Sequence, residues 1–121
     1  MPDPQEFQLV FNHLRAILHE HEASLKLVEN GEMGYSLDTT VLYKGKAIFF
    51  GAVRQGKQYV SFHLMPVYAS PELLAGISPE LKKRMQGKSC FNFRHIDEVL
   101  FAELSSLTHA GLERFREKGL A

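Results

Sequence analysis

The sequence predicts an α+β two-layer sandwich. N- and C-terminal helices pack on one antiparallel sheet of four to five strands, with short helices before the last strand. Three observations carry this expectation. Apolar residues recur at spacings of three and four near both ends of the chain. Between those ends the period falls to two. The breaks between the two-period segments are too short for parallel crossovers, which need about a dozen residues or more.

In the first helix Phe7, Val10, Phe11, Leu14, Ile17, Leu18 and His21 form one stripe. Asp3 suits the N-cap, Pro4 the first helical position and Glu6 the third, a capping-box arrangement. Strands are expected at 25–28, 35–40, 46–53 and 59–65, punctuated by Asn30-Gly31, Tyr43-Lys44-Gly45 and Gln55-Gly56-Lys57. Ser70-Pro71 and Ser78-Pro79 each read as a cap followed by proline, hence two short helices. Ser89 to Phe93 is a candidate fifth strand. The last helix is expected from about Asp97 to Lys118, with Leu100, Leu104, Leu107, Gly111 and Phe115 on one face and Gly119 at the C-terminal cap.

In the strand at 59–65, Val60, Phe62 and Leu64 are expected to face the helices. Tyr59, Ser61, His63 and Met65 then line a second face that no remaining element covers. That face suits a ligand or a dimer interface, with Tyr35 and Cys90 expected near it. Convergent polar groups there favour a ligand, and a flat apolar patch favours a dimer.

At 121 residues the chain is expected to be one domain, residues 1–121. Fourteen Lys+Arg balance fourteen Asp+Glu, which argues against a nucleic-acid partner. The longest apolar run, Ala47 to Val53, is too short to span a membrane. The start Met-Pro-Asp-Pro lacks the pattern of a signal peptide, and the one cysteine, Cys90, fits a reducing cytoplasm. Charge is unevenly spread: residues 1–38 hold seven acids and two bases, a local −5, so residues 39–121 carry +5.

Glu6, His13, His19, Glu20 and Glu22 are candidate metal ligands on the first helix. Carboxylates with occasional imidazole suit a weak hard-cation or ferrous site, although only His19 and Glu22 are near neighbours. The alternative is a solvated helix face. Gly87-Lys88-Ser89 resembles the end of a phosphate loop, but position 82 is Lys82 where glycine is needed. Lys82, Lys83, Arg84, Lys88 and Arg94 form a basic cluster for a phosphate or an acidic partner. Cys90 is a candidate nucleophile if His63 or His95 lies beside it, and otherwise a free structural thiol.

The strand pair Ala47–Val53 and Tyr59–Pro66 resembles the YdhG-like family of bacterial domains of unknown function. So does the run Glu80–Phe93, with Gly87-Lys88-Ser89-Cys90-Phe91-Asn92-Phe93 its most specific part. The likeness runs from about Phe7 to Gly119. The family's fold looks related to frataxin, and that implies ferrous-iron handling with iron–sulfur assembly proteins as partners. The positions matching frataxin's carboxylates are Glu6, Glu20, Glu22, Glu29 and Glu32, with His13 and His19 beside them. The resulting expectation is a small cytoplasmic, non-enzymatic, frataxin-like iron binder or adaptor. The alternative is a module that binds a small molecule or homodimerises through Tyr59, Ser61, His63 and Cys90.

Overall fold

A computed structural model describes residues 4–121. The proposed N-cap Asp3 lies outside the described residues. Helix α1 spans Pro4–His19. Phe7, Val10, Phe11, Leu14, Ile17 and Leu18 are all buried, so the apolar stripe is the helix's inner face. His21, expected on that stripe, falls after the helix. The amides of Glu20 and His21 turn back to Ala16 and Leu18, and a 3-10 turn follows at Glu22–Ser24.

Six strands follow: β1 (Lys26–Asn30), β2 (Gly34–Tyr43), β3 (Lys46–Gln55), β4 (Val60–Leu64), β5 (Met85–Gln86) and β6 (Cys90–Phe93). Every pairing is antiparallel, in the order β1-β2-β3-β4-β6-β5. Among the described residues the sheet therefore has six strands where four to five were expected. The additional strand, β5, is two residues long and shows no alternation that a sequence can display. Lys44 and Gly45 both have positive φ, so the β2–β3 hairpin closes on a two-residue turn whose twist suits the strands.

Between β2 and β3 the register jumps from Leu37↔Gly51 to Asp38↔Phe49. Phe50 is the unopposed residue of this bulge, which lets both Phe50 and Val53 reach the core despite their odd spacing.

Strand β4 ends at Leu64, and Met65-Pro66 opens the short helix α2 (Met65–Ala69). Met65 thus leaves the strand and is not part of the second face. A 3-10 turn at Pro71–Gly76 and helix α3 (Pro79–Lys82) follow. Ser78 caps α3 by accepting from the Leu81 amide at 3.1 Å. Ser70 does not cap. Its hydroxyl accepts from Lys118 Nζ at 2.8 Å.

Helix α4 (Glu98–Glu117) begins on the Asp97 carboxylate, which accepts from the Leu100 amide. It ends where Gly119 N–H reaches Arg116 and Leu120 N–H reaches Phe115, a Schellman closure. Helices α1 and α4 lie together on one face of the sheet. Phe101 packs edge-on to Phe93 and Phe115 to Phe50. Val60, Phe62 and Leu64 point into this layer, each fully buried.

Candidate functional site

Strict alternation in β4 sends Ser61 and His63 to the face away from α1 and α4. Register then decides what joins them. One row runs Ser36↔Ala52↔His63↔Cys90↔Gln86 across five strands. The next runs Gly34↔Arg54↔Ser61↔Asn92. Directly opposed residues share a face, so this face is polar with small residues in its floor.

Asn92 is the hub. Its Oδ1 accepts from the Ser61 hydroxyl at 2.9 Å and from the Cys90 thiol at 3.3 Å. Its Nδ2 donates to Gln86 Oε1 at 2.7 Å, which also takes the Tyr59 hydroxyl at 3.4 Å. His63 Nε2 lies 3.9 Å from Cys90 Sγ. Of the six residues expected on or near the second face, the structure brings together Tyr59, Ser61, His63 and Cys90, while Met65 has left the strand for α2. Tyr35 is not among them. It stands opposite Val53 on the helix side, fully buried.

At the β5–β6 edge of this face, Tyr59, Gln86 and Asn92 line a cleft of about 390 Å³ with Lys83, Arg84 and Arg94. Arg84 extends the β5 pairing, since its carbonyl accepts from the Asn92 amide at 2.8 Å. Arg94 is steadied by a bond from Nε to the Gln58 carbonyl at 3.1 Å. At the other edge Gly34 leaves room for Glu29, whose carboxylate would lie 2.7 Å from an added Cβ. Glu29 instead crosses the face to pair with Arg54 at 2.9 Å.

Burial pushes the His63 pKa down, and the nearby Arg54 charge acts in the same direction. Burial pushes the Cys90 thiol up, opposed by a hydrogen bond with Ser61. At neutral pH the pair is therefore a neutral imidazole beside a protonated thiol, not an ion pair poised for attack. What the arrangement offers is recognition: neutral donors and acceptors in the floor and three cations at one rim.

The first-helix residues are dispersed. Glu6 Oε1 meets His95 Nδ1 at 2.5 Å. The His13 ring packs near Phe101. Glu20 is exposed beyond the end of α1. His19 and Glu22 do meet, with Nδ1 and Oε1 3.3 Å apart. Glu22 also accepts from the Tyr35 hydroxyl at 2.5 Å, and that bond chiefly holds its carboxyl below the usual range. Burial first, then Glu22, pushes the Tyr35 phenol well above its ordinary pKa. Among the described residues no three His, Cys, Asp or Glu side chains are grouped to hold a metal ion. Nor is any helix there long and apolar enough to cross a membrane.

No protein-family model matches the chain, and neither a curated protein nor a solved structure matches it significantly.

Two residues of the site carry little or no signal in the sequence. Gln86 sits in the two-residue β5, where no periodicity announces a face. Asn92 shares parity with Cys90, and that was its only signal. The basic cluster was visible in the sequence, but its division was not: Lys83, Arg84 and Arg94 border this cleft, while Lys82 and Lys88 border another.

Proposed function

We propose that the protein is a small-molecule-binding module whose uncovered sheet face and basic rim take a small polar anion, a phosphate or carboxylate carrying hydroxyl groups. The observation that carries this reading is the convergence of Tyr59, Ser61, Gln86 and Asn92 on one hydrogen-bonded network beside Lys83, Arg84 and Arg94. Amide and hydroxyl groups suit a polyhydroxylated body, and guanidinium groups suit phosphate or carboxylate. Polar character across this face favours a ligand over a homodimer built on it, since stable dimer interfaces are more apolar. We place the module in the cytoplasm, with the free thiol Cys90 in support.

Calorimetric titration with glucose 6-phosphate and with citrate tests this. Saturable binding of either, weakened about tenfold or more in a Lys83→Glu/Arg84→Glu variant, is the expected result. Both side chains are exposed, so the variant keeps its fold. Heat changes no different from buffer for both anions, or binding indifferent to the charge reversal, contradicts the reading.

The Cys90–His63 approach of 3.9 Å supports a second reading, a thiol-dependent enzyme. The raised thiol pKa weighs against it. Iodoacetamide decides: alkylation at neutral pH faster than for a free thiol supports the enzyme, and slow alkylation supports the binding module. The frataxin-like reading, ferrous-ion binding for iron–sulfur assembly partners, rests on the likeness in sequence and on the His19–Glu22 pair. An anaerobic ferrous titration tests it, with loss of binding in a His19→Gln/Glu22→Gln variant as its expected signature.

A further inference from the structure

A second cleft, of about 640 Å³, opens on the other side of β5, with Met85 lining both it and the polar cleft. Its character is different. Val67, Tyr68, Pro71, Leu74 and Met85 line its wall. Val67 is fully buried and gives a fixed apolar floor, while Tyr68 stays 54% exposed at the opening. The volume lies in the range of ligand pockets, about 300–1,000 Å³.

Both charged residues of the lining, Lys82 and Lys88, are cations. Lys88 Nζ stands 5.9 Å from the centre of the Tyr68 ring, so charge and apolar surface meet at one place. The acid nearest in sequence to the wall, Glu72, is held in an ion pair with Arg114 at 2.5 Å. Its charge is therefore already met by a cation outside the lining. Gly87 sits in the turn between the two lysines with φ +78°, and an added Cβ there would meet nothing within 4 Å. The turn thus leaves the opening free of side-chain bulk at that point.

An apolar wall with a cationic margin is complementary to a molecule with an apolar body and one anionic head. We infer that this cleft binds a free medium-chain carboxylate, its chain along Val67, Leu74 and Met85 and its head between Lys82 and Lys88. This site is separate from the polar cleft and takes a different chemistry, so either can fail without the other.

Titration of the isotope-labelled protein with octanoate, followed by amide NMR, tests the inference. Octanoate is expected to shift the amides of Tyr68, Leu74, Gly87 and Lys88 saturably. Octanol, which lacks the charge, and acetate, which lacks the chain, should each bind about tenfold more weakly or worse. The Lys82→Glu/Lys88→Glu variant should lose octanoate binding by about tenfold or more, with its spectrum otherwise unchanged because both side chains are exposed. The inference is overturned by the absence of saturable shifts at these positions. It is equally overturned by octanol binding as tightly as octanoate, or by affinity that ignores the charge reversal.

Discussion

The two faces of the sheet are built from alternate residues of the same strands, yet they follow different rules. On the helix side β4 contributes Val60, Phe62 and Leu64, all fully buried among aromatic and aliphatic neighbours. On the other side it contributes Ser61 and His63, half-buried and engaged by hydrogen bonds and a thiol contact. One face holds the fold by burial, which is non-directional and scales with area. The other holds a pattern of donors and acceptors, which contributes little net stability and much specificity. Function is to be expected on the side that the fold can spare.

Substitutions at adjacent positions of β4 should separate the two faces most. Phe62→Ala should cost about 3–5 kcal/mol in urea denaturation, because it empties a fully buried site. Its neighbour Ser61→Ala should cost under about 1 kcal/mol, since Asn92 still accepts from Cys90. Equal losses at both positions contradict the division between faces.

Gly111→Ala probes how tightly the helix layer is packed. Its Cβ would come within 2.8 Å of Pro66 Cβ, a ring that cannot swing aside. A loss of about 1–3 kcal/mol is expected, the ordinary cost of overpacking.

Acidification should weaken the fold through two histidines. His63 and His21 both have lowered pKa values, chiefly through burial. The unfolded chain therefore binds more protons than the folded one just below the ordinary histidine pKa of about 6.5. The stabilisation is complete above that value and is lost as pH falls through the lower folded values. Urea midpoints should drop between neutral pH and mildly acid pH, and a His63→Gln variant should drop less. A midpoint that rises on acidification contradicts the assignment.

The smallest effect is at the far edge. Gly34→Ala pushes the Glu29 carboxylate out of its place over the strand. The exposed Glu29–Arg54 pair is lost with a change of at most about 1 kcal/mol. Chemical shifts of Arg54 report it better than stability does.

Much of this was legible because period and punctuation are local. The α1 stripe, the Lys44-Gly45 turn, the start of the last helix near Asp97 and the Gly119 closure all stand in the sequence as short-range patterns. The parity of β4 was enough to place Ser61 and His63 on the open face. What was hidden depends on non-local pairing. The bulge at Phe50 changes parity in mid-strand, and β5 is too short to have any. The five candidate metal ligands illustrate the same limit. They crowd in sequence, but Glu6 is drawn to His95 across the fold, and Glu20 falls beyond the end of α1. Tyr35 was expected near the open face, and register put it on the other.

Mapping where a polar anion lands decides whether the uncovered face is the binding face. Amide NMR during titration with glucose 6-phosphate is that measurement. Saturable shifts are expected at Tyr59, Arg84, Gln86 and Asn92, fading toward the buried residues of α1 and α4. Shifts confined to the first helix around His19 and Glu22, or no saturable shift anywhere, would contradict that role for the face.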